Sequence, residues 1–319
     1  MEHKKAVVCG ASGLIGMHLV PYLKERGYHV TALSRTLPKF NFGPPADKYF
    51  QLDLREYHGS FFNDVDVVFQ LACEVGGLGY IMDKSNDSDC LRNSTLIDLN
   101  VLEGCRRGKV GKVFFASSAC VYPVLNRPLK ETDAYPAAPL NAFAWQKLFA
   151  ERLYQSYASN YGMYIRIGRL FNTYGPGMTW SGGREKSVAA ICRKVAELEP
   201  GKKLEVWGDD GSQERSYTFV TDTVEGIYRL MESDWLQPLN IGSEEGYSIR
   251  QLVKYVRDLS GKVFETSYVP GPIGNPSIVC DSTLERRKLR WTPQATLLDG
   301  LKHTYPWVAA QALDTNRQT

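Results

Sequence analysis

Short apolar runs alternate with amphipathic stretches along the first half of the chain. Ala6-Val7-Val8-Cys9 is apolar throughout and closed by Gly10, which predicts a buried strand. Residues 14–26 carry apolar positions at helical spacing and stop at Gly27, a helix terminator. Residues 29–33, 65–71 and 112–116 read as further strands, with helical stretches between them, 94–107 among these. Residues 164–170 read as a late strand of the same sheet. Strand and helix in alternation predict an α/β fold built on a parallel, doubly wound sheet. Past residue 175 Gly, Pro and Trp become frequent. Residues 204–207 and 239–242 read as short isolated strands, and 249–259 as an amphipathic helix. A smaller C-terminal α/β lobe, packed over the carboxyl edge of the sheet, is expected there.

Composition narrows the class. The 319 residues are 43% hydrophobic and 23% charged, enough for one large domain plus a small lobe. A formal net charge of +3 is too weak to favour nucleic acid or a membrane surface as partner. Seven cysteines lie scattered without CxxC spacing. They read as reduced cytoplasmic thiols, with no disulfide frame and no metal site expected. The chain runs from Met1 straight into a strand, without a secretory signal or a long apolar span, so no membrane segment is expected. Residues 314–319 read as a frayed polar tail.

The first strand ends in Gly10-Ala11-Ser12-Gly13-Leu14-Ile15-Gly16. Gly10 allows a tight turn, Gly13 lets backbone approach a pyrophosphate, and Gly16 lets helix pack on strand. The free N–H groups and positive dipole end of the helix then face the phosphates. Strand before and helix after make this a dinucleotide-binding loop of Rossmann type. Its domain is expected over residues 1–175 with returning segments near 215–240, and the substrate lobe mainly over 176–319. The second strand ends in Ser34-Arg35 with no acid, so a nicotinamide cofactor is expected as NAD or NADP. Arg35 leans the reading towards NADP, unless it is a solvated surface side chain. Asp53 is a candidate for the adenine edge or a cap for the next helix.

Chemistry is concentrated in Ser117-Ser118-Ala119-Cys120 and Phe143-Ala144-Trp145-Gln146-Lys147. Ser118 follows a strand, and Lys147 stands one helical turn from position 143. With the glycine loop, this frame resembles the extended short-chain dehydrogenase/reductases. In that family Tyr stands where Phe143 does, and moves a proton from a sugar hydroxyl. Lys lowers its pKa and binds the nicotinamide ribose, and Ser bonds the same oxygen. The resemblance also implies Leu14, Ile15, Leu54, Leu71 and Ala72 as cofactor contacts. Sugar-nucleotide dehydratases of the family carry Asp-Glu after the serine. Here Ala119-Cys120 stand instead, so Cys120 is either an acid/base thiol or an inert buried one.

Two glycine-rich stretches favour the first. Cys73-Glu74-Val75-Gly76-Gly77-Leu78-Gly79-Tyr80-Ile81 and Trp180-Ser181-Gly182-Gly183-Arg184-Glu185-Lys186 resemble GDP-mannose 3,5-epimerases, as do Ser117 to Pro123 and Val206-Trp207-Gly208-Asp209. The resemblance implies transient oxidation at C4 of a nucleotide-diphosphate sugar. Cys120 and Lys186 then exchange protons at C3 and C5, and C4 is reduced again. It implies that Asn172 and Arg215 hold the phosphates, and that Gly76 and Gly77 let backbone approach the hexose. It also implies a homodimer through helices near 94–107 and 143–157. The segment after Pro270-Gly271-Pro272 departs from the family, because 273–279 lack the expected arginine. A 4-epimerase or 4-reductase, and a non-catalytic sugar-nucleotide-binding protein, are the competing readings. Phe143 is either natural or an engineered Tyr→Phe change, and the intact remainder of the frame favours engineering to trap substrate.

Overall fold

Strands that are apolar on both faces need helices on both faces, and the chain provides them. A computed structural model describes residues 3–272 and 274–316. The first six strands are β1 (Lys5–Cys9), β2 (His29–Ser34), β3 (Lys48–Gln51), β4 (Val67–Gln70), β5 (Lys112–Ser118) and β6 (Tyr164–Leu170). After the short β7 (Thr173–Tyr174), β8 (Leu204–Trp207), β9 (Glu214–Ser216) and β10 (Thr218–Phe219), the chain returns as β11 (Leu239–Ile241). The main sheet has seven strands in the order β11-β6-β5-β4-β1-β2-β3, and its registered pairs are all parallel. Strand order reverses between β1 and β4, which opens a crevice at their carboxyl ends.

Alternate residues sort onto the two faces. Ala6 and Val8 of β1 pack beneath Leu19 and Leu23 of α1 (Leu14–Glu25). Val7 and Cys9 pack on the other face with Val101 and Cys105 of the long helix over Asp87–Arg107. The short α2 (Leu78–Ile81) precedes that long helix, α3. Tyr154 of α4 (Ala142–Tyr161) shares the α3 face, and Ile227 of α6 (Val220–Glu232) shares the α1 face. A separate core joins α5 (Ser187–Glu197), α7 (Ile249–Ser260) and α9 (Leu297–Asn316), with Val188, Leu252 and Leu301 buried in it. The strands β12 (Gly246–Ser248), β13 (Thr266–Val269) and β14 (Ser277–Ile278) and the helix α8 (Thr283–Leu289) complete the fold.

Several expectations change. Residues 239–242 are not an isolated piece, because β11 pairs with β6 and closes one edge of the main sheet. The long helix starts at Asp87, seven residues before position 94, with Asp87 and Asp89 in its first turn where they favour the helix dipole. Residues 314–316 continue α9. Met1, Glu2 and 317–319 lie outside the described residues. Among the described residues no helix is long and apolar enough to cross a membrane.

One buried ion pair fastens α4 to the sheet. Arg169 on β6 and Glu151 on α4 have side chains 3% and 2% exposed. Arg169 donates to Glu151 through Nε at 2.8 Å and Nη2 at 2.6 Å. The Ser117 hydroxyl donates to the same carboxylate at 2.5 Å. Arg169 Nη1 donates to the Tyr122 hydroxyl at 3.0 Å and to the Glu131 carbonyl at 2.7 Å. Removing one member would leave the other charge buried and unpaired. Glu151→Ala is therefore expected to cost about 3–5 kcal/mol, read from urea unfolding, well beyond an ordinary surface substitution.

Candidate active site

The crevice between β1 and β4 is lined first by the glycine loop. Gly10 has φ +79°, and a Cβ there would stand 2.8 Å from the Ala72 backbone nitrogen. A Cβ on Gly16 would stand 2.4 Å from the Gly10 carbonyl oxygen, so the first turn of α1 lies directly on the loop. Gly13 caps α1, and a Cβ there would meet only the Gly10 carbonyl, at 3.3 Å. The first turn of α1, which begins with Leu14 and Ile15, has no acidic residue to compete for its N–H groups. This cradle fits a dinucleotide pyrophosphate. Leu71 and Ala72 continue from β4 on the facing side of the crevice, where the Leu71 N–H donates to the Cys9 carbonyl at 3.1 Å.

Arg35 is exposed just past the end of β2, close enough for its charge to act on Asp53 and Glu74. Asp53 does not cap a helix. It accepts the Arg55 N–H at 2.9 Å and three bonds from the Arg55 guanidinium, which holds its carboxyl below the usual range. Its carboxylate is thereby occupied within its own turn. The Leu54 side chain is buried in the core, and its carbonyl accepts from Asn100 Nδ2 at 3.1 Å.

The frame of Ser118, Cys120, Phe143 and Lys147 sits above the ion pair. Ser118 ends β5, and its Oγ accepts the Cys120 N–H at 3.2 Å, which leaves the hydroxyl proton free to donate. Asn141 caps α4 by accepting the Ala144 N–H at 3.0 Å, and so presents Phe143 in the first turn. Lys147 is 3% exposed. Its ammonium donates to the Ala116 carbonyl at 3.0 Å and lies 4.8 Å from the Phe115 ring and 6.0 Å from the Phe143 ring. Burial pushes the nearby Asp98 carboxyl up, and the Lys147 charge opposes that. Cys120 and Phe143 belong to one apolar cluster with Cys73, Val75, Leu78, Tyr80 and Cys90.

The two glycine-rich loops interlock beside this cluster. Gly77 N–H donates to the Arg184 carbonyl at 2.9 Å. A Cβ on Gly77 would sit 1.9 Å from the Glu185 carbonyl oxygen, and one on Gly76 would sit 2.6 Å from the Tyr80 Cβ. On the side where a side chain would project, Gly76 and Gly77 thus face the protein's own loops. Glu74, 5% exposed, accepts from Arg184 Nη1 at 2.5 Å and from the Tyr80 hydroxyl at 3.1 Å. Burial pushes the Glu74 carboxyl up, but the Arg184 guanidinium outweighs it and holds the group below the usual range. Lys186 caps α5 and is exposed, with its backbone nitrogen 3.2 Å from that Gly77 Cβ position.

The phosphate candidates lie across the cleft. Asn172, at φ +33°, donates from Nδ2 to the Ser216 carbonyl at 2.8 Å. Arg215 on β9 donates to the carbonyls of Glu214 and Pro276 at 2.7 and 3.2 Å. Burial lowers its pKa, while Tyr217 and Cys120 oppose that, so its charge and the Cys120 thiol are neighbours. The arginine-free segment therefore lies against Arg215, since β14 pairs with β9; Ile273 itself lies outside the described residues. Glu74, Tyr80 and Arg184 were not singled out from the sequence. The signal was charge of opposite sign inside two glycine-rich stretches, and nothing in their spacing pairs them.

Residues 6–242 match the model of the NAD dependent epimerase/dehydratase family. Rice GDP-mannose 3,5-epimerase 1 (Oryza sativa subsp. indica) is 39% identical over 97% of this chain and 83% of its own length. Thermus thermophilus UDP-glucose 4-epimerase in complex with NAD is 25% identical, covers 95% of this chain and 98% of its own, and superposes with a TM-score of 0.83. A tyrosine-to-phenylalanine mutant of Bacillus cereus UDP-glucuronic acid 4-epimerase, in complex with a nucleotide sugar and NAD, is also 25% identical, covers 96% and 99%, and has a TM-score of 0.82. A glycine cradle at the strand-order reversal, a serine and lysine at its mouth, and a family match over most of the chain agree: the protein belongs to the NAD-dependent epimerase/dehydratase family of extended short-chain dehydrogenase/reductases.

Proposed function

We propose that the protein is a nucleotide-diphosphate-sugar epimerase of the GDP-mannose 3,5-epimerase type, and that Phe143 makes this chain its redox-silent Tyr-to-Phe form. The observation that carries the reading is the common cluster of Cys120 and Phe143, with Lys147 one turn along α4 and the Lys186 backbone against the same glycine loop. Residues 1–175, with 215–240, hold the cofactor, and 176–319 mainly hold the sugar nucleotide.

A bound nicotinamide supplies hydride exchange with C4 of the hexose. The chain's own groups do the remaining work. The Ser118 hydroxyl donates to the oxygen on C4. A tyrosine hydroxyl at position 143 would take the proton of that alcohol, with the Lys147 ammonium lowering its pKa. The phenyl ring of Phe143 accepts no proton, so the C4 alcohol keeps its own. Lys147 uses one donor on Ala116 and retains others for the ribose hydroxyls. With C4 as a ketone, the C3 and C5 protons become acidic. Cys120 and Lys186 remove and return them from opposite faces, which inverts the carbon. Asn172 and Arg215 grip the diphosphate, Arg215 by charge-assisted hydrogen bonds.

NADP is proposed over NAD. Arg35 is exposed where a ribose 2′-phosphate would lie, and Asp53 is already committed to Arg55. A homodimer is proposed through α3 and α4, which leave Leu91, Leu99, Trp145 and Phe149 between 38% and 53% exposed. Seven free cysteines support a cytoplasmic setting. The second reading, a 4-epimerase or 4-reductase, is favoured by the 4-epimerase structures that share the fold. A non-catalytic binding protein is favoured by Phe143 itself.

Phe143→Tyr is expected to raise turnover of GDP-mannose, or of another nucleotide sugar, by about 10²–10⁴-fold. In D₂O the product should gain deuterium at C3 or C5. Turnover without deuterium would support the 4-epimerase reading, and no turnover on any nucleotide sugar the binding one. In the Phe143→Tyr form, Cys120→Ala or Lys186→Ala should abolish deuterium uptake. Arg35→Asp should weaken NADP binding by about 10-fold or more and leave NAD binding nearly unchanged, measured by calorimetry; equal effects on both cofactors would remove the NADP preference. Trp145→Asp with Phe149→Asp should shift the chain from dimer to monomer in sedimentation, whereas an unchanged sedimentation coefficient would place the contact elsewhere.

A further inference from the structure

Among the described residues the Lys186 side chain makes no hydrogen bond or ion pair. Its position is therefore inherited from its backbone, and the docking of that backbone becomes the quantity of interest. We propose that Glu74 and Arg184 form a latch that docks the loop carrying Lys186 onto the loop packed around Cys120, so that Glu74 is a positioning residue for carbon–proton exchange. This rests on the reading of Cys120 and Lys186 as the exchanging pair.

The latch has four parts. Glu74 and Arg184 meet at 2.5 Å. The Arg184 guanidinium lies 4.0 Å over the Tyr80 ring, whose hydroxyl donates to the same Glu74 carboxylate at 3.1 Å. The Gly77 N–H holds the Arg184 carbonyl at 2.9 Å. The Glu185 carbonyl then occupies the place of a Gly77 side chain. A surface pair would contribute little. Glu74 differs because its side chain is 6% exposed against 43% for Arg184. It is also tied down from behind, accepting from Asn93 Nδ2 at 3.4 Å, while its N–H donates to the Ser94 hydroxyl at 3.0 Å. Glu74 is thus the fixed half, anchored on α3, and Arg184 is the arriving half. Undocking would leave a buried carboxylate with its cation gone, so the closed arrangement is strongly preferred.

The loop of Glu74 also supplies Cys73, Val75, Leu78 and Tyr80 to the cluster containing Cys120. One rigid unit therefore sets the separation between Cys120 and Lys186. Proton transfer is steeply sensitive to such placement. The residues at the C4 chemistry, Ser118 and Lys147, are held instead by the sheet and α4, and do not depend on the latch.

The test uses Glu74→Gln and Arg184→Gln, each in two backgrounds. In the chain as it stands, hydrogen exchange at the Gly77 amide is measured. Each variant should speed it at least tenfold, since that amide holds Arg184; unchanged protection overturns the latch whatever the enzyme does. In the Phe143→Tyr form, solvent deuterium incorporation at carbon should fall about 10²-fold. The KM for the sugar nucleotide and the extent of cofactor reduction, read at its absorbance, should stay within threefold. The double variant should be no worse than either single, as expected for one coupled pair. Equal losses of deuterium uptake and cofactor reduction would mean a merely structural role and overturn the positioning claim. Loosened Gly77 in a Phe143→Tyr form that neither reduces cofactor nor exchanges protons would overturn the epimerase reading and the positioning role with it, and leave a structural clasp.

Discussion

The buried pair of Arg169 and Glu151 is the interaction on which the site depends. It joins β6 to α4, takes in Ser117 of β5, and reaches β11 through the Tyr122 hydroxyl, which donates to Asn240 at 2.5 Å. Three adjacent strands and α4 are thereby fixed from below. Desolvating two charges is expensive, and here the expense is offset only because both carboxylate oxygens and several guanidinium donors are bonded. Ser118 and Cys120 follow Ser117 directly, and Phe143 and Lys147 precede Glu151 by two turns and one turn of α4. Their relative placement is therefore inherited from this pair.

Above it, the candidate residues stand on two kinds of support. Ser118, position 143 and Lys147 stand on regular elements, the end of a strand and the first turns of a helix. Cys120 stands on a short turn and packs into an apolar cluster, and Lys186 ends a loop at the start of α5. Phe143 belongs to both, since it stands in the first turn of α4 and also packs into that cluster. The ring of a tyrosine would pack in the same way. Phe143 therefore fills the same apolar space without a hydroxyl.

Much of this was legible in particular residues. The glycine loop, the Ser118 and Lys147 spacing and the strands β1, β2, β5 and β6 are local signals, and local geometry suffices to read them. Elsewhere the local signal pointed the wrong way or was missing. β3 reads weakly because it is a partly exposed edge with little apolar pattern. Residues 239–241 looked isolated because their partner, β6, lies about seventy residues earlier in the chain. Gly76 and Gly77 read as room for a ligand, and nothing local showed that their Cβ sides meet Tyr80 of the same loop and the 185–186 backbone respectively. Asp53 looked free for an adenine edge, and Arg55 two residues on had claimed it.

Period, turn residues and motif spacing act over a few residues, so the chain alone specified the α/β alternation, the cradle for a dinucleotide and the candidate chemistry of Cys120, Phe143, Lys147 and Lys186. Which of these meet is a matter of long-range packing. The union of the 74–81 and 180–186 loops, the neighbourhood of Arg215 and Cys120, and the return of β11 to the sheet each join segments about a hundred residues apart or bring distant strands into register. No spacing rule spans such distances, because their contacts form only when buried surfaces close on one another.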